Sequence, residues 1–269
     1  MPTSADQSKC RLCLQEGAPL RDSHFIPKAI YKKLTTLADP NPLLMTSSVI
    51  MPTSKQWTCR LLCDSCEQVL SDYGECSIIP LLANIDGSFP LRQLLLDSPN
   101  AHIGQVDDSS FYDVSMIEGL PQTAFIHFAI GILWRASQVG WKNYSPISLG
   151  PYEEKFREFL CGGASPLNSQ SILMVMVNSD IKDALQTIVL PKSYRAAHGA
   201  LCHEFRLPGI RVQFLAGYRL SRQPWTSFAC FAKSNRIVLT PDRKQFTDLF
   251  GPIVRQIPPS QNKMLRRIR

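Results

Sequence analysis

Two Cys-x-x-Cys pairs, Cys10-Arg11-Leu12-Cys13 and Cys63-Asp64-Ser65-Cys66, constrain this chain more than any other feature. Four thiolates at this spacing satisfy a tetrahedral zinc ion completely. A filled shell leaves no position for water, so the zinc is expected to be structural. Cys59 competes as a ligand, but its spacing to Cys63 is worse than that of Cys66. The 49 residues between the pairs exceed the span of a simple zinc ribbon, so the insert is expected to carry something. A segment running from residue 1 to about 76 is too small for a rich core and needs its metal. Cys76, Cys161, Cys202 and Cys230 read as small apolar core residues. The competing reading, a second metal site of Cys202, His203 and His198, has the weaker signal.

The thiol reading depends on redox compartment. No stretch of 18 apolar residues occurs, and Met1 to Lys9 is polar. Neither a membrane span nor a secretory leader is therefore expected. In the cytoplasm, the expected location, paired cysteines bind metal more often than they form disulfides. Of the 269 residues, 44% are apolar, enough for a globular core. Charge is unevenly spread. Residues 191–269 hold 15 Lys and Arg against 3 Asp and Glu, whereas residues 1–190 hold 14 against 19. Such a basic C-terminal third is an electrostatic footprint for a polyanion; a solvated basic face with a frayed tail is the plainer alternative. Arg211, Arg219, Arg222, Arg236, Arg243 and Lys244 would bind phosphates without reading sequence if they share a face.

Periodicity outlines the elements. Leu20 to Phe25 reads as a strand, Lys28 to Leu37 as a helix opened by Pro27, and Ala38 to Trp57 as loop. A helix is expected from near Cys66 to Tyr73, ended by Gly74. Helices are expected again at Leu91–Leu96, Gln122–Val139 (amphipathic) and Pro151–Cys161. From Ser171 the signal turns to strand: Ile172–Val177, Ile188–Leu190, Ile210–Leu215, Phe228–Ala232 and Ile237–Leu239. Lys244–Gln256 reads as a closing helix. One boundary near residue 76 is predicted, with an α+β domain over 77–269. His127, among Phe125, Phe128 and Ile130, reads as a packed core histidine. No Gly-rich phosphate loop or dinucleotide fingerprint appears.

His24-Phe25-Ile26-Pro27 after the first pair, and Leu61-Leu62 running into the second, resemble the HNH endonuclease superfamily. Within it, Ser23 to Lys28, Cys63 to Glu67 and Leu70 to Glu75 resemble a bacterial HNH-like group, which also tends to carry Trp-Arg-Ala-Ser, here Trp134 to Ser137. The resemblance covers about a quarter of the chain. It implies a zinc-stapled treble-clef or ββα-metal module followed by a mixed helix-and-strand domain. It further implies DNA phosphodiester hydrolysis, with His24 as general base and Glu67 as ligand to a catalytic Mg²⁺ or Mn²⁺. A setting in phage defence or restriction, with a partner protein, is also implied. Two positions depart from the family. Ser23 stands where a metal-binding Asp or His is usual, and no asparagine stands near Thr58, where the middle Asn would fall. Asp72 and Glu75 follow Glu67 as further carboxylates or as an exposed helix face. His24 as a backbone-capping histidine, Glu67 as a helix N-terminal acid, and the whole module as a non-catalytic binder of nucleic acid or protein are the alternatives. RNA is a further candidate substrate.

Overall fold

Leu20–His24 (β1) and Thr58–Cys63 (β4) pair antiparallel in a two-stranded ladder, with Leu20 opposite Cys63 and His24 opposite Thr58. The computed structural model describes residues 9–35, 43–46, 50–52, 56–142, 144–178, 187–196, 199–218, 220, 231 and 235–241. The chain is mixed α and β and divides into two compact units. One comprises Met1–Lys28, Lys55–Pro80 and Thr123–Pro166; the other holds Ala29–Ser54, Leu81–Gln122 and Leu167–Arg269. A single cut near residue 76 is therefore not how the contacts divide. The segment that carries the four cysteines gains its core from helices far along the chain, which is how it exceeds the small core its own residues provide.

In the first unit, β4 runs directly into helix α2 (Asp64–Leu70), with Cys63 as the capping residue. Gly74 does not end this helix. The chain continues through a π turn, Ser71–Glu75, into α3 (Cys76–Ile78). Gly74 is needed for closeness instead: a Cβ there would lie 3.0 Å from the Phe128 Cα and N. Phe128 belongs to α5 (Gln122–Ser137). That helix was expected to be amphipathic, but it is buried all round from Phe128 to Ser137. Helix α6 (Tyr152–Leu160) follows, burying Phe156 and Leu160. Phe25 stacks on Trp141 with ring centroids 4.9 Å apart and on Trp57 at 6.2 Å.

Among the described residues, the second unit is built on a nine-stranded sheet. Besides β2 (Leu43–Met45) and β3 (Ile50–Pro52), it contains β5 (His102–Val106), β6 (Ser109–Asp113), β7 (Ser171–Asn178) and β8 (Thr187–Arg195). The last three strands are β9 (Leu201–Leu207), β10 (Ile210–Ala216) and β11 (Arg236–Thr240). Their order is β3-β2-β8-β9-β10-β7-β11-β6-β5, antiparallel except for β2 with β8 and β11 with β7. Helices α1 (Lys28–Lys33) and α4 (Pro90–Leu96) belong to this unit from Ala29 onward. Strands β2 and β3 lie in the stretch expected to be loop, where turn-forming residues obscured short apolar runs. Of the Phe228–Ala232 strand only Phe231 is described, bridging Leu173. The Lys244–Gln256 helix lies outside the described residues.

Candidate metal centre and its surroundings

The first knuckle is shaped by its own backbone. Leu14 N–H donates to Cys10 O at 2.9 Å, and Cys10 N–H donates to Gln15 O at 3.0 Å. The turn places Leu14 in the left-handed region, φ 62°. Arg11 N–H donates to Leu61 O at 3.0 Å and so fastens the knuckle to β4. Its outer carbonyl, Leu12 O, accepts from Arg157 Nη1 at 2.9 Å and from the Cys161 thiol at 3.5 Å, at the end of α6. The second knuckle spans the β4-to-α2 junction, and Cys63 N–H donates to Cys10 Sγ at 3.4 Å.

These two turns bring the sulfurs of Cys10, Cys13, Cys63 and Cys66 within 4.8 Å of one another. Zinc–sulfur bonds of about 2.3 Å in a tetrahedron require sulfurs about 3.8 Å apart. Cys13 and Cys63 stand at 3.8 Å. Four thiols so close resist ionising together. Burial and the charge of Cys10 push the Cys66 thiol well up. Burial also acts against the Cys63 thiolate, but hydrogen bonds from Ser65, Cys66 and Cys10 outweigh it and pull Cys63 down to about 6. A soft dication resolves the conflict by stabilising all four thiolates at once. The donor set fits zinc, and with four protein ligands such a metal has no open position.

Cys59 is not part of the cluster. It sits on β4 opposite Ser23 and against Gly140, 3.8 Å from its Sγ to a Cβ built there. Its thiol is pushed up to about 11, first by burial, then by Glu67 and Asp22.

The residues expected to carry catalysis are placed as follows. Ser23 is buried, and its Oγ accepts from Leu62 N–H at 3.1 Å. It closes the ladder and is committed to backbone. Asp22 and His24 lie on the opposite face by strand alternation, Asp22 exposed and His24 half-buried. Glu67, in the first turn of α2, has Oε2 3.7 Å from Arg135 Nη2. Its Oε1 is buried with no hydrogen bond. Arg135 Nη1 meets Glu75 Oε1 at 2.8 Å. Asp72 accepts from Gln68 at 2.6 Å on the exposed side. Among the described residues, the four cysteines alone form a metal-holding group of three or more His, Cys, Asp or Glu side chains; His24 and Glu67 join no second one. Cys202 and His203 are successive residues of β9 and so point to opposite faces of the sheet, which removes them as a ligand pair. His198 lies outside the described residues.

Two features escaped the sequence reading. Arg135 is 3% exposed and ties two acids from the α2 and π-turn segment to α5; its Trp-Arg-Ala-Ser setting hinted only at packing. Val69, Tyr73, Thr123, His127, Phe159 and Cys161 line a cleft of about 340 Å³. Burial holds the His127 imidazole below its ordinary pKa. Compared with protein-family models, curated proteins and solved structures, the chain gives no match. Among the described residues no helix is long and apolar enough to cross a membrane.

Proposed function

We propose that the chain is an HNH-like, metal-dependent endonuclease that hydrolyses DNA phosphodiester bonds. One arrangement carries the reading: an antiparallel strand pair runs straight into a helix, with His24 closing the first strand and Glu67 in the first turn of the helix. This order of strand, strand and helix supports the reading as a ββα-metal module, in which a zinc ion held by the four cysteines would be the staple. A buried carboxylate oxygen with no hydrogen bond, Glu67 Oε1, is costly unless a cation or donor meets it. In this reading His24 accepts the proton of a water as that water attacks phosphorus and the bond to the leaving oxygen breaks. A bound Mg²⁺ or Mn²⁺ would neutralise charge on that oxygen, with Glu67 as its protein ligand. Arg135 holds the Glu67 carboxylate in place. A role in phage defence or restriction follows from the resemblance of the motifs.

A second reading has its own support. Arg135 already neutralises part of Glu67, and Ser23 is committed to backbone. These favour a non-catalytic zinc module that binds nucleic acid or a protein partner.

Plasmid cleavage by zinc-loaded protein with added Mg²⁺ or Mn²⁺ separates the two. Cleavage that disappears without the added cation, and in a His24→Ala variant that keeps its zinc, supports the nuclease. Folded, zinc-loaded protein that cleaves neither DNA nor RNA leaves the binding module.

A further inference from the structure

The cleft in the first unit is built from three segments. Val69 and Tyr73 stand four residues apart along α2 and the π turn, and Thr123 and His127 four apart on α5, so each pair shares a face. The end of α6 supplies Phe159 and the turn that runs to Gly163. All three segments belong to the same compact unit.

Three rings surround the space. His127 is 8% exposed, and its ring centroid lies 5.7 Å from that of Tyr73 and 5.8 Å from that of Phe159. The Leu160 backbone hydrogen-bonds this imidazole, and a Cβ built on Gly74 would stand 3.2 Å from its Nδ1. The protein thus holds the imidazole by its nitrogens, and it serves the cleft as a ring. Tyr73, at the rim, is 66% exposed. A ring held open to water beside a cleft keeps apolar area that a guest would bury.

The lining does not suit an anion. Among the described residues, no Lys, Arg, Asp or Glu side chain lines the cleft. The amides at the end of α6 are spent on the turn itself. Cys161 N–H donates to Arg157 O at 3.1 Å, Gly162 N–H to Phe159 O at 3.0 Å, and Gly163 N–H to Glu158 O at 2.9 Å. None of the three is left to cradle a phosphate. Gly162 takes φ 94° in this turn, and a Cβ on Gly163 would lie 2.8 Å from Glu158 O. The turn requires glycine at both positions, and glycine keeps this wall of the cleft bare. Tyr73 and Thr123 bring hydroxyls to the lining.

Size narrows the guest further. A dry apolar cavity of about 150 Å³ takes one benzene ring. The cleft, at about 340 Å³, has room for two fused rings. An uncharged bicyclic ring with polar edges fits both the volume and the lining. Tyr73 also lies between Glu67 and Glu75, the two acids that Arg135 holds, roughly 9 Å along the helix from Glu67.

We propose that the cleft takes a purine nucleobase, unstacked from a nucleic-acid strand, and packs it among Tyr73, His127 and Phe159. Every nucleobase has a π face, so the packing tolerates any sequence around it. The proposal rests on the nuclease reading for the strand as the source of the purine.

The probe is a single-stranded oligonucleotide carrying one fluorescent aminopurine, titrated with zinc-loaded full-length protein without added Mg²⁺ or Mn²⁺. Packing in the cleft is expected to quench it. Tyr73→Ala is expected to weaken binding about tenfold, and Tyr73→Phe to keep most of it. Thr123→Phe fills the cleft from an exposed position, so quenching should vanish. Both positions are exposed, so melting temperatures should stay near that of the wild type, which separates a blocked cleft from a misfolded one. On the wild type alone, the same strand with an abasic site in place of the aminopurine should bind about tenfold more weakly. Equal affinity for the abasic strand, or quenching that survives Thr123→Phe, overturns the proposal. Quenching of the free aminopurine nucleoside, with none in the strand, makes the ligand a free purine and overturns the strand assignment. Quenching needs no cleavage. Protein that quenches the strand but cuts no plasmid upholds the cleft against the nuclease reading, and protein that cuts without quenching does the reverse.

Discussion

Arg135 Nη1 and Glu75 Oε1 meet at 2.8 Å, joining residues 60 positions apart in the chain. Arg135 lies near the end of α5, and its other nitrogen faces Glu67 at 3.7 Å. The Trp-Arg-Ala-Ser segment and the two acids of the α2 region are thus one structural device. Removing the cation leaves two carboxylates with no counter-charge beside an apolar helix. Arg135→Ala is expected to destabilise the zinc-loaded protein by roughly 3–5 kcal/mol. Adding Glu75→Gln to that variant should recover part of the loss. Urea unfolding followed by tryptophan fluorescence measures both, and a loss below about 1 kcal/mol, the scale of a surface pair, would refute the buried-pair account.

Gly74 offers a test of sign. Helix propensity alone favours alanine over glycine by about 1 kcal/mol. Here the new methyl would stand 3.0 Å from backbone atoms of Phe128 and 3.2 Å from His127 Nδ1. Backbone within a buried helix cannot yield cheaply, and overpacking of this kind costs about 1–3 kcal/mol. Gly74→Ala should therefore lower the melting temperature. A higher one would mean that α5 shifts freely.

The metal centre predicts a stoichiometry. One zinc per chain is expected by metal analysis, retained in Cys59→Ser and lost or greatly weakened in Cys63→Ser. Chelation should unfold the first unit, because folding and metal binding share one free energy here. Loss of zinc from Cys59→Ser with retention in Cys63→Ser would reverse the ligand assignment.

Leu14 holds φ 62° at the knuckle, and its side chain is 43% exposed. A left-handed conformation costs a non-glycine residue about 1–2 kcal/mol, while glycine's extra freedom in the unfolded chain costs roughly 0.5–1 kcal/mol. Little packing is lost on replacement. Leu14→Gly is expected to stabilise the zinc form by up to about 1 kcal/mol, read as a higher urea midpoint at equal slope. A lower midpoint would show that the leucine packs more than its exposure suggests.

What was legible in the sequence follows the range of the forces involved. The four-cysteine cluster was legible because thiol spacing and metal geometry are local. Most helices were legible from apolar period. Strand β9 was not, because Cys202-His203-Glu204-Phe205-Arg206 runs apolar, polar, polar, apolar, polar, which breaks the alternation that marks a half-exposed strand, yet every one of these residues is buried. Its polar residues are tolerated through partners on β8 and β10, such as Ser193, Tyr194 and Gln213. Strands β5 and β6 hid for a different reason. Their turn rests on Asp107 at φ 49°, a weaker signal than glycine. The interleaving of the two units depends on packing between distant segments, which no local pattern encodes. For the same reason the ion pairs of Arg135 were invisible, while Glu67 was noticed from its place beside Cys66.

His203 supplies the clearest dependence on pH. It is fully buried in β9, shares a 2.7 Å hydrogen bond between Nδ1 and the Ser193 hydroxyl, and has no hydrogen-bond partner at Nε2. Burial pulls its pKa from 6.5 down to about 4. The folded imidazole therefore stays neutral where the unfolded one takes a proton. Stability is full above about 6.5 and is lost as pH falls from there toward about 4. The loss saturates at roughly 3 kcal/mol. Glu204, whose neighbours Arg206 and Arg211 hold it below its ordinary range against the effect of burial, acts lower. Its contribution is present above the ordinary carboxylate pKa of about 4.3 and fades only beneath it. The two windows are therefore separable. His203→Gln can keep the bond to Ser193 and removes the titration. Its unfolding free energy should lose the slope between about pH 6.5 and 4.5 while keeping the steeper fall below that range. Parallel profiles for wild type and variant across the upper window would show that His203 is protonated in the folded protein, and that solvent reaches this side of β9.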